Sequence, residues 1–267
     1  DLIGRGLMPA DVVFALVSPM DAHGYFSLSL GPDYTMAAIR KARAIVLEVN
    51  PNVPYAFGNN QIHISQVAAL VEDDTPILEV GLPKIGPVQQ AIGKYVADMI
   101  NDGDTLQIGY GAIPDAVVMQ LTDKRDLGIH TEMIGDGIMT LVEAGSVTNR
   151  RKNYMPGKMV ATFALGSKKL YQFMDRNPML EMHPVDLTND PYLAGQNDNL
   201  IAYYDITTGV KRLHLLAVQS TERECPGKPV SQFVYLQSIH SVSSIRQRYI
   251  KGARFVDSSD VRAHPIV

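Results

Sequence analysis

The chain has 267 residues, 46% hydrophobic and 19% charged, the composition of a folded globular protein and not of a disordered one. A net charge of −4 gives no basic footprint for nucleic acid, and the absence of an 18-residue apolar run gives no membrane-spanning helix. Cys225 is the only cysteine, which excludes a disulfide framework and a Cys-based metal site and points to a reducing, cytoplasmic-type compartment.

The opening Asp1-Leu2-Ile3-Gly4-Arg5 has neither an initiator Met nor the pattern of a signal peptide, so the expectation is a chain that starts inside a longer protein. Residues 12–18 form a short apolar run closed by Pro19, which reads as a buried strand. Residues 36–44 read as a helix and residues 45–49 as the next strand, the order of a parallel βαβ unit. Asn50-Pro51-Asn52-Val53-Pro54 is a loop, and Leu82-Pro83-Lys84-Ile85-Gly86-Pro87 reads as a linker.

Behind that linker, Val88, Ala91, Ile92, Tyr95, Val96, Met99 and Ile100 repeat at helical spacing as one apolar stripe, which Gly103 ends. A strand at 105–108, a glycine loop and a helix at about 114–121 follow. The alternation continues through a strand at 127–129, a helix at 137–144, a strand at 159–165 and a helix at 167–174. This pattern predicts a doubly wound α/β fold.

After residue 200 the character changes. The first 200 residues carry 15 Lys+Arg against 23 Asp+Glu, whereas the last 67 carry 9 against 5. Glycine falls from 18 to 3 across the same boundary, and clean periodicity is lost, with strands expected at 210–218 and 233–236.

Two sites could carry chemistry. Gly109-Tyr110-Gly111-Ala112-Ile113-Pro114 lies between a strand and a helix, where glycines allow a sharp turn and close approach to a ligand. Backbone N–H groups at such a turn could cradle a phosphate or a developing oxyanion. The plain alternative is a tight βα turn, and the third glycine of a dinucleotide fingerprint is missing. Glu132 follows the next strand, among the apolar Ile129, Met133 and Ile134. An isolated strand-end glutamate is more often a solvated carboxylate. Its pairing with the glycine loop on a neighbouring strand is what favours a site. His130 is better explained as a hydrogen-bonded structural histidine.

Gly166-Ser167-Lys168-Lys169 is a further strand-to-helix turn, where Ser167 reads as an N-cap and the lysines as helix surface before phosphate ligands. Asp21-Ala22-His23-Gly24 and Asn59-Asn60-Gln61-Ile62-His63 are polar clusters without metal-ligand spacing.

At these residues the sequence resembles the acetyl-CoA hydrolase/transferase family, particularly its 4-hydroxybutyrate and butyryl-CoA transferases. The resemblance runs over residues 9–202 through Val17-Ser18-Pro19-Met20-Asp21-Ala22-His23-Gly24-Tyr25, Glu48-Val49-Asn50-Pro51-Asn52 and Ile62-His63-Ile64-Ser65. It continues through residues 109–114, 127–133 and 164–169 and Asn197-Asp198-Asn199. It implies two similar open α/β domains. Residues 1–82 would be the latter part of the first, incomplete at its start, and residues 83–267 the second, incomplete at its end.

The resemblance also implies that Glu132 is the nucleophile and that Gly109, Tyr110, Gly111, Ala112 and Ile113 bind the thioester. The implied activity is transfer of CoA between an acyl-CoA and a short-chain carboxylate of the acetate, butyrate or 4-hydroxybutyrate class. It runs through a glutamyl anhydride and a glutamyl-CoA thioester. CoA is then a substrate, no tightly bound cofactor or metal is expected, and a homo-oligomer is the expected assembly. The alternatives are an acyl-CoA hydrolase using the same glutamate, or an inactive fragment of such an enzyme. Residues 201–267 depart from the family, since a glycine-rich CoA segment expected there is replaced by Ser-Thr-Glu-Arg-Glu-Cys-Pro-Gly-Lys-Pro at 220–229. A reading-frame slip and true divergence are the two explanations.

Overall fold

The computed structural model describes residues 2–205 and the backbone of Gln232–Leu236. The first elements are β1 (Val12–Val17), β2 (Tyr25–Ser27), α1 (Thr35–Ile39), β3 (Ala44–Val49), β4 (Gln61–His63) and β5 (Ala69–Glu72). Then come α2 (Pro87–Ala97), β6 (Thr105–Ile108), α3 (Ala112–Val118), β7 (Gly128–Ile129), β8 (Met133–Ile134) and α4 (Asp136–Glu143). The remainder is β9 (Met159–Ala161), β10 (Phe163–Ala164), α5 (Lys168–Met174), β11 (Leu180–Met182), α6 (Val185–Thr188), α7 (Pro191–Ala194), β12 (Leu200–Asp205) and β13 (Gln232–Leu236).

The α/β class holds, and every strand pair except β2–β4 is parallel. The described strands fall into five small sheets. The strand expected at 233–236 is β13, parallel to β12. The strand expected at 210–218, Cys225 and the divergent stretch up to Ser231 lie outside the described residues.

Two compact units share the chain. One comprises Asp1–Gly81, Thr131–Met139 and Lys158–Asp190. Its sheet β1-β3-β5 buries Val13, Val17, Ile45 and Leu47 against Met36 and Ile39 of α1 and Phe26, Leu28 and Ile62. The apolar run at 12–18 is therefore buried on one face only. Successive side chains of a strand point to opposite faces, and Phe14, on the other face, is 77% exposed. The single strand expected at 159–165 is two: β9 pairs with β11, and β10 pairs with β8. The break between them lies at Thr162, whose N–H turns to the Glu132 carbonyl at 3.0 Å.

The second unit comprises Leu82–His130, Thr140–Gly157 and the described residues from Pro191 on. Its sheet runs β13-β12-β6-β7, and β6 and β7 are neighbours as the sequence reading required. The α2 helix starts at Pro87, with Gln89 Oε1 accepting from Gly86 N–H at 3.1 Å. Its buried face is Ile92, Gly93, Val96 and Ala97, while Val88 and Tyr95 of the expected stripe are exposed. Gly93 explains the difference. A Cβ there would stand 2.6 Å from the Ala116 carbonyl oxygen of α3, so the helices meet backbone to backbone at the glycine.

Candidate active site

The glycine loop leaves the C-terminal end of β6, whose four residues are all buried. Gly111 has φ 135° and ψ 172°, a conformation essentially restricted to glycine, and it starts α3 two residues earlier than expected. The N–H of Gly109 is already used, donating to the Tyr203 carbonyl at 2.9 Å and extending the sheet. The N–H groups of Tyr110, Gly111, Ala112 and Ile113 take no backbone partner among the described residues. Those of Gly111, Ala112 and Ile113 are donors that a helix start leaves open, and Tyr110 directly precedes the N-cap. Pro114 has no N–H to offer, and Ile113 is buried while the Tyr110 side chain is exposed.

The next strand, β7, is anchored from below. Lys152 is buried, and its Nζ donates to the Ile129 carbonyl at 2.9 Å. Asn149, itself left-handed with φ 58°, accepts from Ile129 N–H at 2.8 Å. His130 is fully buried, its N–H bonded to the Leu106 carbonyl at 3.0 Å and its ring 6.0 Å from that of Tyr154.

Glu132 is partly buried, at the start of β8. Its carbonyl accepts from both Thr162 and Phe163 N–H at 3.0 Å. These two bonds fix the backbone that carries the side chain. One carboxylate oxygen, Oε2, accepts from Asn189 Nδ2 at 3.2 Å. Asn189 follows α6, with its N–H on the Val185 carbonyl at 2.9 Å. Sequence reasoning missed Asn189: it sits in a Thr-Asn-Asp-Pro turn at 188–191, and no periodicity or spacing marks such a turn as a site. A positioned carboxylate partly shielded from water can act as nucleophile or base.

The Gly166-Ser167-Lys168 turn offers no phosphate cradle. The Ser167 N–H donates to Asp136 Oδ2 at 2.9 Å, the Ser167 hydroxyl bonds the other oxygen of that carboxylate, and the Lys168 N–H donates to Glu79 Oε2 at 2.9 Å. Two carboxylates occupy the donors an anion would need. Ser167 is the N-cap of α5, as expected, but its side chain serves Asp136 and not the helix.

The polar clusters of the first residues are structural as well. Asp21 Oδ1 accepts from His23 N–H at 2.8 Å and Tyr25 N–H at 2.9 Å, and its Oδ2 accepts from the Tyr55 hydroxyl at 3.0 Å. These bonds, that from Tyr25 most of all, hold the Asp21 carboxyl below the usual carboxylate range. Asn60 is fully buried, accepting from the Ser27 hydroxyl and donating to the Phe57 and Met182 carbonyls. No group of three His, Cys, Asp or Glu side chains among the described residues could hold a metal ion. No helix among them is long and apolar enough to cross a membrane.

Comparison with known proteins converges on one family. Residues 4–80 match the model of the acetyl-CoA hydrolase/transferase N-terminal domain, and residues 166–208 match that of the C-terminal domain. A succinyl-CoA:cyclohexane-1-carboxylate CoA transferase of Geobacter metallireducens is 50% identical over 74% of this chain and 45% of its own length. A 4-hydroxybutyrate coenzyme A transferase of Clostridium kluyveri is 47% identical over 73% of this chain and 46% of its own. The chain thus spans under half the length of these relatives. Among solved structures, RipA from Yersinia pestis superposes with a TM-score of 0.79 at 33% identity, over 88% of this chain and 56% of that one. The 4-hydroxybutyrate CoA-transferase of Porphyromonas gingivalis gives 0.74 at 41% identity, over 76% and 52%.

Proposed function

Because this chain belongs to the acetyl-CoA hydrolase/transferase family, we propose that it acts in moving CoA between an acyl-CoA and a short-chain carboxylate, with Glu132 as nucleophile. The observation that carries the proposal is the local geometry of Glu132, a partly buried carboxylate at a strand start. Its backbone is doubly anchored and one oxygen is bonded to Asn189. The relatives named for CoA transfer support the reaction class.

In the proposed reaction the Glu132 carboxylate adds to the thioester carbonyl, and the tetrahedral adduct collapses by expelling CoA thiolate. A mixed anhydride between the acyl group and Glu132 remains. The thiolate then adds to the glutamyl carbonyl of that anhydride and expels the first acid as its carboxylate. The product is a glutamyl-CoA thioester, from which an incoming carboxylate runs the two steps in reverse. A carboxylate nucleophile suits this chemistry because anhydride and thioester both keep the transfer potential that a serine ester would lose.

The proposal gives the loop of Gly109, Tyr110, Gly111, Ala112 and Ile113 the binding of the thioester. Oxyanion donation falls to the N–H groups after Gly109, whose own N–H is in the sheet. Residues 1–82 are assigned to the N-terminal domain of the family and 83–267 to the C-terminal domain, which the N-terminal match ending at residue 80 supports. The same reading takes CoA as a substrate with no tightly bound cofactor, short-chain acids of the acetate, butyrate or 4-hydroxybutyrate class, a homo-oligomer and a cytoplasmic location.

Product analysis tests the reaction. Incubated with butyryl-CoA and acetate, the protein is expected to form acetyl-CoA and butyrate in equal amounts. In the absence of acetate, butyryl-CoA is expected to persist. Free CoA released without an acceptor would instead identify a hydrolase working through the same glutamate.

A further inference from the structure

The first compact unit holds a recess of about 430 Å³ whose lining includes neither Glu132 nor Thr162, Phe163 or Asn189. This size is within the range of small-molecule sites. Pro51, Pro54, Pro76 and Ile77 give it an apolar wall, and proline rings lose no rotamer freedom when something packs on them. Lys168 and Arg176 supply two cations to the same lining. Neither forms an ion pair with another described residue. The two acids present are engaged by backbone N–H groups, Glu79 by Lys168 and Asp175 by Tyr55 at 2.8 Å.

Arg176 stands in an unusual backbone conformation. Its φ is 50°, a left-handed value that costs a non-glycine residue free energy. The turn is held by Arg176 N–H on the Tyr55 carbonyl at 2.8 Å and by the Asp175 bond to Tyr55 N–H. Glycine would fit the turn at less cost, so the turn itself does not call for arginine. The side chain does something specific: its guanidinium carbon lies 5.3 Å from the Tyr55 ring centroid. A guanidinium lying on a ring still has edge N–H donors in the fork arrangement that matches a carboxylate.

We propose that this recess binds a small aliphatic carboxylate, with the carboxylate on Arg176 and Lys168 and the hydrocarbon body against the proline wall. A monoanion fits better than a phosphate dianion, because Glu79 and Asp175 in the lining already balance the two cations. No residue of the recess is used by the reaction proposed for Glu132.

The test is protection of Arg176 from phenylglyoxal, read residue by residue by peptide mass spectrometry on the full chain, with hexanoate as the probe. Hexanoate at about ten times its Kd slows Arg176 modification about tenfold, while Arg43, the 84% exposed control, reacts at an unchanged rate. Acetate, which lacks the hydrocarbon body, gives less protection at the same concentration. Lys168→Met removes the protection. Arg176→Gly melts no lower than the parent, since the turn accepts glycine, yet loses the hexanoate-induced rise in melting temperature. Equal Arg176 reactivity with and without hexanoate overturns the proposal, as does a hexanoate-induced rise that Arg176→Gly retains.

Discussion

Asn189 Nδ2 donates to Glu132 Oε2 at 3.2 Å and so orients the side chain proposed as nucleophile. Hydrogen bonds to charged groups contribute about 1.5–3 kcal/mol. Asn189→Ala is therefore expected to lower kcat for CoA transfer by about tenfold or more, with KM changing less. Asn189→Asp, which sets a second carboxylate against the first, is expected to be worse. Steady-state kinetics on butyryl-CoA checks both, and an unchanged kcat in Asn189→Ala counts against the role given to this bond.

The Tyr55–Asp21 pair makes a second prediction, in pH. Burial, then the Asp21 carboxylate, pushes the Tyr55 phenol from 10.0 up to about 12. A raised folded value means that the stabilisation is complete below pH 10.0 and is lost as pH climbs towards about 12. Asp21, held low, works in the opposite direction: its contribution is complete at neutral pH and is lost as pH falls through its folded value, below 3.8. Melting temperatures of the parent and Tyr55→Phe are expected to converge between pH 10 and about 12, where only the parent has a Tyr55 phenol to ionise. Parallel curves contradict it.

At the scale of elements, Gly93 reverses an ordinary expectation. Replacing glycine by alanine inside a helix usually stabilises by about 1 kcal/mol. Here the added carbon would stand 2.6 Å from the Ala116 oxygen and 2.7 Å from the Ala116 carbonyl carbon, atoms that cannot rotate away. Gly93→Ala is expected to lower stability by about 1–3 kcal/mol, the usual penalty of overpacking, measured by urea unfolding. A stabilised variant would mean that α2 and α3 do not meet at this residue.

The same glycine shows what the sequence could and could not disclose. Hydrophobic periodicity located α2 and its neighbours because spacing reports amphipathicity directly. It chose Val88 and Tyr95 for the buried face because it weighs side-chain size and gives glycine no packing value. The strands at β1 and β3 were legible from their apolar runs. Short strands such as β4, β8 and β11, three residues or fewer, carry too little pattern to be read. Of the residues given roles in the proposed reaction, the Gly109–Pro114 loop and Glu132 were visible as strand-end signals. Asn189, Asp136 and Glu79 were not, because each acts on a residue at least 31 positions away in the chain.

At the scale of the whole molecule, the chain passes repeatedly between its two compact units. The unit that begins at residue 1 is completed by Thr131–Met139 and Lys158–Asp190. The joins are specific: Phe57 bridges to Glu181, Tyr55 N–H reaches Asp175, and Asn60 donates to Met182. Gly58, at φ 115°, lies so close to the Met182 backbone that an added Cβ would stand 2.3 Å from its oxygen. A fragment of residues 1–82 is therefore expected to show no cooperative unfolding transition by circular dichroism, whereas the 267-residue chain shows one or more. A fragment that melts cooperatively would mean that these joins are dispensable.

The central claim is that Glu132 becomes covalently acylated and then thioesterified, and intact-protein mass spectrometry after incubation with butyryl-CoA tests it most directly. The account predicts a CoA adduct on the parent chain and none on Glu132→Gln, whose amide cannot form the anhydride. An adduct of equal abundance on both proteins would contradict it, and so would its absence from a parent chain that turns over butyryl-CoA.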